Sequence, residues 1–183
     1  VVAAIGVFFP VASGWADSTD SPLMGVRSAV SGQIVKIESG LLFVKTPYGL
    51  QFRTISPNKA DRVGLHNARP GDEVWLLIDS GNVLLDAARP GGEHFANHKV
   101  VAGRIHYADP FWGEIQISTP EGFERFEVDA LAGSKLSVFQ EGMPVTIELD
   151  SDNVMIDIQP GRQCDCRACR PLDFIVRGSY DFY

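Results

Sequence analysis

Asp79-Ser80-Gly81-Asn82-Val83 returns as Asp150-Ser151-Asp152-Asn153-Val154, 71 residues further on. Asp, Ser, Gly and Asn are turn residues: the Asx side chains bond their own backbone, and Gly and Asn accept left-handed dihedrals. Clustered carboxylates and amides also suggest a site. Repetition at a fixed distance instead marks a turn inside a duplicated unit.

Working outward, the first copy alternates short β-type runs with turns. Val30–Ile37 is followed by the turn Glu38-Ser39-Gly40, Leu41–Thr46 by Pro47-Tyr48-Gly49, and Leu50–Ile55 completes the group. β-rich runs separated by Gly and Pro predict hairpins and meanders. Ser56–Pro70 is a non-strand connection with room for a short helix near Lys59–Val63, and Glu73–Ile78 and Val83–Ala87 are the last two strands.

The second copy keeps that order. Val101-Ala102-Gly103-Arg104-Ile105 matches Val30-Ser31-Gly32-Gln33-Ile34 at offset 71, and Thr119-Pro120-Glu121-Gly122 matches Thr46-Pro47-Tyr48-Gly49 at offset 73. Two residues are therefore added in the first hairpin, around Asp109–Gly113, and Gly142 against Gly71 restores the offset of 71. Insertions confined to loops are what a structural repeat predicts.

The expected fold is all-β, with two tandem five-stranded barrels of OB-like or SH3-like type, a cysteine loop and an extended C-terminal strand. Closing so small a sheet removes its edges and buries one face of each strand. The boundaries are 1–16 for a signal peptide or anchor remnant, 24–90 and 99–160 for the barrels, and 161–183 for the cysteine loop and final strand. Expected inward residues are Ile34, Phe43, Phe52, Val74, Leu76, Ile78 and Val83, then Ile105, Ile115, Ile117, Phe126, Val145, Ile147, Leu149 and Val154. The runs LLFV and VWLLI are apolar on both faces, so the barrels would pack on each other or on a partner.

The G-x-I opening (Gly32–Ile34), the T-P-x-G turn (Thr46–Gly49) and the G-D-x-V-x-L-x-I-D-x-x-N-V close (Gly71–Val83) resemble the small β-barrel repeats of exported bacterial proteins of unassigned function. The second copy departs at Met143-Pro144, where the first has Asp72-Glu73. The resemblance spans about 28–88 and 99–158 and implies an exported, non-catalytic module. It transfers no site residues.

The net charge of −7 argues against nucleic acid or an anionic membrane as main partner. The charge is uneven: residues 24–90 hold eight Lys/Arg and six Asp/Glu, and residues 99–160 hold four and eleven. The halves could attract each other or a neighbouring copy; a solvated acidic face is the plainer reading. Val1–Val11 is apolar and ends in small residues to Ala16, the pattern of an export signal. It is shorter than the roughly 20 residues of a membrane span. The protein is expected to be exported, periplasmic, envelope-associated or extracellular, with membrane contact only if this segment is retained.

Candidate chemistry gathers near the C terminus. Cys164, Cys166 and Cys169 are the only cysteines. Their spacing offers three thiolates to Cu or Zn, but in an oxidising compartment a disulfide is the favoured reading. Nearby Arg162, Arg167 and Arg170 would lower thiol pKa values. His94 and His98, spaced i, i+4, would offer two imidazoles to a metal on a helix, but their Gly-rich stretch reads better as a solvated linker. His66 and His106 stand alone and read as surface or partly buried residues rather than ligands. Leu172, Phe174, Val176, Gly178, Tyr180 and Phe182 alternate with Asp173, Ile175, Arg177, Ser179 and Asp181. That period of two predicts a strand able to join an exposed sheet edge, within the chain or on a neighbour.

Nucleophile-elbow, P-loop, zincin and dinucleotide motifs are all missing from the sequence, so no catalytic or cofactor-binding residue is assigned. The expected function is a non-catalytic structural or assembly subunit of an envelope or extracellular complex. Its partners would be other protein subunits or further copies of itself, met through barrel surfaces and Leu172, Phe174, Val176, Tyr180 and Phe182. The alternative is a metal-binding or thiol-redox module on the cysteines. A third reading, an OB-like ligand or oligosaccharide binder, rests on Trp75, Phe111 and Trp112.

Overall fold

The computed structural model describes residues 25–90 and 95–161. They form two five-stranded antiparallel sheets, so the chain is all-β in class. In the first unit β1 (Arg27–Glu38), β2 (Leu41–Thr46), β3 (Gly49–Thr54), β4 (Glu73–Asp79) and β5 (Leu84–Ala88) lie in the order β3-β2-β1-β4-β5. In the second, β6 (Lys99–Asp109), β7 (Glu114–Thr119), β8 (Gly122–Glu127), β9 (Pro144–Leu149) and β10 (Met155–Pro160) repeat it as β8-β7-β6-β9-β10. A short helix follows the third strand of each, α1 (Pro57–Arg62) and α2 (Ala130–Leu136).

The repeated turn is built identically twice. Asp79 Oδ1 accepts the Val83 N–H at 2.8 Å and Asp150 Oδ1 accepts the Val154 N–H at 2.9 Å. Asn82 and Asn153 take left-handed φ values of 64° and 61°, where Asn is tolerated. The matching glycines are explained too. A Cβ on Gly32 would stand 2.8 Å from the Lys45 carbonyl, and one on Gly103 would stand 2.6 Å from the Ser118 carbonyl. Both lie just ahead of a bulge, between Ile34 and Lys36 in β1 and between Ile105 and Tyr107 in β6. The long first strand bends there, pairing with both its neighbours while the backbones stay close.

Each unit has its own core. Ile34, Leu42, Val44, Val74, Leu76, Ile78 and Leu84 fill the first, and Ile105, Ile115, Ile117, Val145, Ile147, Leu149 and Met155 the second. The expected inward set needs three corrections. Phe52 and Val83 are exposed, and Phe43 pairs with Phe52 on the outer face, beneath the Lys36 ammonium. A strand alternates faces, so burying Leu42 and Val44 turns Phe43 outward. Register within the repeat points the same way, since Ile115 and Ile117 less 73 are Leu42 and Val44.

Both expected apolar faces occur in β4. Val74, Leu76 and Ile78 enter the first core, while Leu77 joins Leu85, Ala88, Phe95 and Ile156 in a third cluster. Leu85 and Ile156 are equivalent residues, each the extra residue of a bulge in the last strand of its unit. The two units therefore meet through the same patch of each.

Candidate functional site at the joint between the units

Around that apolar patch lies a network of buried charges, arranged with an approximate two-fold. Arg27 opens β1 and His98 precedes β6, 71 residues apart. Arg27 Nη2 reaches Asp157 Oδ2 of the other unit at 2.6 Å, and His98 Nε2 reaches Asp86 Oδ2 of the other unit at 3.0 Å. Asp86 and Asp157 are again 71 apart. The helices exchange in the same way: Arg62 of α1 meets Asp150 at 3.3 Å, and Lys135 of α2 meets Asp79 at 3.0 Å. Each turn aspartate thus holds its own turn with one oxygen and the opposite unit with the other. A patch that contacts its own counterpart across a two-fold is the geometry of a homodimer interface, here within one chain.

Two residues break the symmetry. Glu148 corresponds to Leu77, and it accepts from Arg27 at 3.0 Å and from His98 Nδ1 at 2.9 Å. Lys59, fully buried, donates to the Leu85 carbonyl and lies 3.5 Å from Asp86 and 3.6 Å from Asp129. Asp129 also caps α2 through the Leu131 N–H at 3.0 Å, as Ser56 caps α1 through the Lys59 N–H at 3.1 Å.

Protonation follows from this packing. Burial pushes the His98 pKa down, but hydrogen bonds and charges from Asp86 and Glu148 outweigh it and raise the value to about 9. With both ring nitrogens bonded to carboxylates, His98 is an imidazolium at neutral pH. Burial pushes Asp86 and Glu148 upward, yet the His98 hydrogen bond, with the charges of His98 and of Lys59 or Arg27, holds both below their ordinary value. The solvated linker with a free His98 is therefore corrected: Phe95 packs at the joint and His98 is buried, because the carboxylates there require a cation. His94 lies outside the described residues.

Two clefts flank the joint, each pairing one unit's outer strands with the other unit's helix. One, of about 590 Å³, lies between Asn58 and Arg62 of α1 and the segments Phe111–Glu114 and Arg125–Ala130. The other, of about 740 Å³, lies between β3, the segment Asn82–Leu84, and Leu131 and Ser134 of α2. At the mouth of the first stand Phe111 and Trp112, 86% and 72% exposed, their rings edge to face at 5.2 Å. They occupy the loop that carries the two extra residues. Asp109 braces it, Oδ1 accepting the N–H groups of Phe111 and Trp112 at 2.8 and 3.0 Å and Oδ2 accepting the Tyr107 hydroxyl at 3.0 Å.

Of the other residues singled out from sequence, Trp75 is 38% exposed on β4, away from Phe111 and Trp112 in its own unit. His66 is exposed beside Asp61, and the exposed His106 ring packs on Phe123 at 4.6 Å. Cys164, Cys166 and Cys169, the strand Leu172–Phe182 and the apolar segment 1–16 all lie outside the described residues. No described helix is long and apolar enough to cross a membrane.

No protein-family model matches the chain, and no curated protein does. Two solved structures that match are a multidomain protein with nucleic acid binding domains from Streptococcus pneumoniae and Drosophila Unr CSD456. The first is 12% identical, covering 75% of this chain and 53% of that one, with a TM-score of 0.26. The second is 12% identical, covering 74% and 63%, with a TM-score of 0.24. The chain spans between half and two thirds of the length of each, and neither likeness carries an argument about function. One expectation is nevertheless withdrawn. The exclusion of nucleic acid partners rested on net charge, and a protein with nucleic acid binding domains is among the matches. Net charge also averages over unlike surfaces, since residues 24–90 are net positive.

Proposed function

We propose that this chain is a non-catalytic assembly module of an exported or envelope-associated complex, made of two OB-like barrels held as one body. The OB-like reading is supported by the strand order, by the helix after each third strand, and by the parallel bridge from Val128 to Met155, which brings the end of the third strand to the fifth. The joint supports the rigid-body part, because its charges are buried and spent on each other.

The observation that carries the reading is the braced, solvent-facing pair Phe111–Trp112 at the mouth of a cleft formed by both units. Trp and other large aromatics dominate the energetics of protein interfaces, and a pre-organised loop presents them at little entropic cost. The first barrel's shorter hairpin lacks the pair, so the surface belongs to one copy only.

The test is a Phe111→Ser/Trp112→Ser chain expressed in the native source. Wild type is expected to elute with other subunits on size exclusion, and the double variant to elute alone with an unchanged melting temperature. An identical elution profile for both would sink the reading.

A further inference from the structure

The two units differ most at the seam between their third and fifth strands. In the second unit Val128 bridges to Met155, the Asp129 N–H donates to the Met155 carbonyl at 2.8 Å, and the outer strand carries Glu124, Arg125 and Glu127. Charges on an edge strand discourage further pairing. In the first unit the equivalent residues Ile55 and Leu84 form no such bridge among the described residues, and the outer strand is Gly-Leu-Gln-Phe-Arg-Thr. Leu50 and Phe52, two residues apart on one face of β3, are each 64% exposed, and Val83 is exposed in the same cleft. Arg53 spans the gap, its guanidinium donating to Asn82 Oδ1 at 2.7 Å, and also donates to the Phe52 carbonyl of its own strand at 2.8 Å. Duplication supplies an internal control: Phe123 is exposed at the position of Leu50, but the second copy places Arg125 where the first has Phe52 and Glu127 where it has Thr54.

We propose that the β3 edge is a docking site for the chain's own segment Leu172–Phe182, added as a further strand. Its apolar residues recur every second position, the spacing of Leu50 and Phe52, so one face would cover both side chains. The other face brings Asp173 and Asp181 to the side of the sheet that carries Arg53. The ten residues 162–171 span up to about 33 Å when extended, comparable to the width of a compact body of this size, so the segment can reach β3 within the chain. This site is separate from the Phe111–Trp112 tip, and the two proposals stand or fall independently.

Hydrogen exchange on the full-length chain tests it, comparing wild type with Val176→Pro and with Phe174→Ser/Tyr180→Ser. Proline removes a ladder donor in mid-strand, and the second variant removes apolar contacts without touching the backbone. The outward-facing amides of Leu50, Phe52 and Thr54 should exchange at least ~10-fold faster in both variants, with those of β8 unchanged as the reference. Equal exchange at β3 in all three chains overturns the proposal. So does β3 protection in wild type that fades on dilution, since the occupant is then a segment of a second copy.

Discussion

Arg27 and His98 stand at the same position of the two units, 71 residues apart, and each crosses the joint to the aspartate that occupies the same position of the other. His98 is the one whose charge is lost as pH rises through about 9.

His98→Ala should destabilise the chain by about 3–5 kcal/mol, because it leaves Asp86 and Glu148 buried without their shared cation. Chemical denaturation of the variant beside wild type measures this. A loss below about 1 kcal/mol would mean that the joint is looser than the packing indicates.

Stability should depend on pH at both ends. The folded pKa of His98, about 9, exceeds the ordinary value of 6.5, so its contribution is complete below 6.5 and is lost as pH rises through 9. That limb is worth up to about 3 kcal/mol. Asp86 and Glu148 are lowered, so their contribution is present above the ordinary carboxylate range and is lost as pH falls through their depressed values. Denaturation midpoints should therefore be highest between roughly pH 5 and 6.5. In His98→Gln the fall between 6.5 and 9 should flatten; an unchanged alkaline limb would assign it to another group.

The helix exchange predicts coupling. A double-mutant cycle on Arg62→Ala and Asp150→Ala should return an interaction energy of about 0.5–2 kcal/mol, since the pair is largely buried. Pairing Arg62→Ala with Asp79→Ala should return nearly zero, because Asp79 answers to Lys135. Equal coupling in both cycles would contradict the reciprocal arrangement.

Gly103→Ala should cost about 1–3 kcal/mol, because the Ser118 carbonyl lies where the methyl group would go. Gly71→Ala is the contrast: no heavy atom lies within 4 Å of the Cβ position, and the penalty there comes from its φ of +96°. A crystal structure of Gly103→Ala should show β6 displaced from β7, whereas in Gly71→Ala only the turn should move.

Local rules made most of the elements legible. Turn chemistry located the D-S-x-N-V corner, alternation located the strands, and the Gly32–Gly103 match marked a position whose backbone constraint appears twice. Phe43 turns outward because a two-sided apolar run such as LLFV has no intrinsic inside, and Phe52, its cross-strand partner, shares that outer face. The repeat held the answer, in the offset of 73 that maps Ile115 and Ile117 onto Leu42 and Val44.

By itself, the sequence determined that the chain is β-rich, that it is duplicated, and where the turns fall, since those depend on residues close together in the chain. Tertiary structure alone decided what the conspicuous polar residues do. Asp150 and Arg62 are 88 positions apart, and Arg27 and Asp157 are 130 apart. No periodicity connects such residues, and a charged side chain reads as solvated until the fold removes its water. Once it does, each charge must find a partner, and the D-S-x-N-V turn becomes a fastening between the units as well as a corner within each.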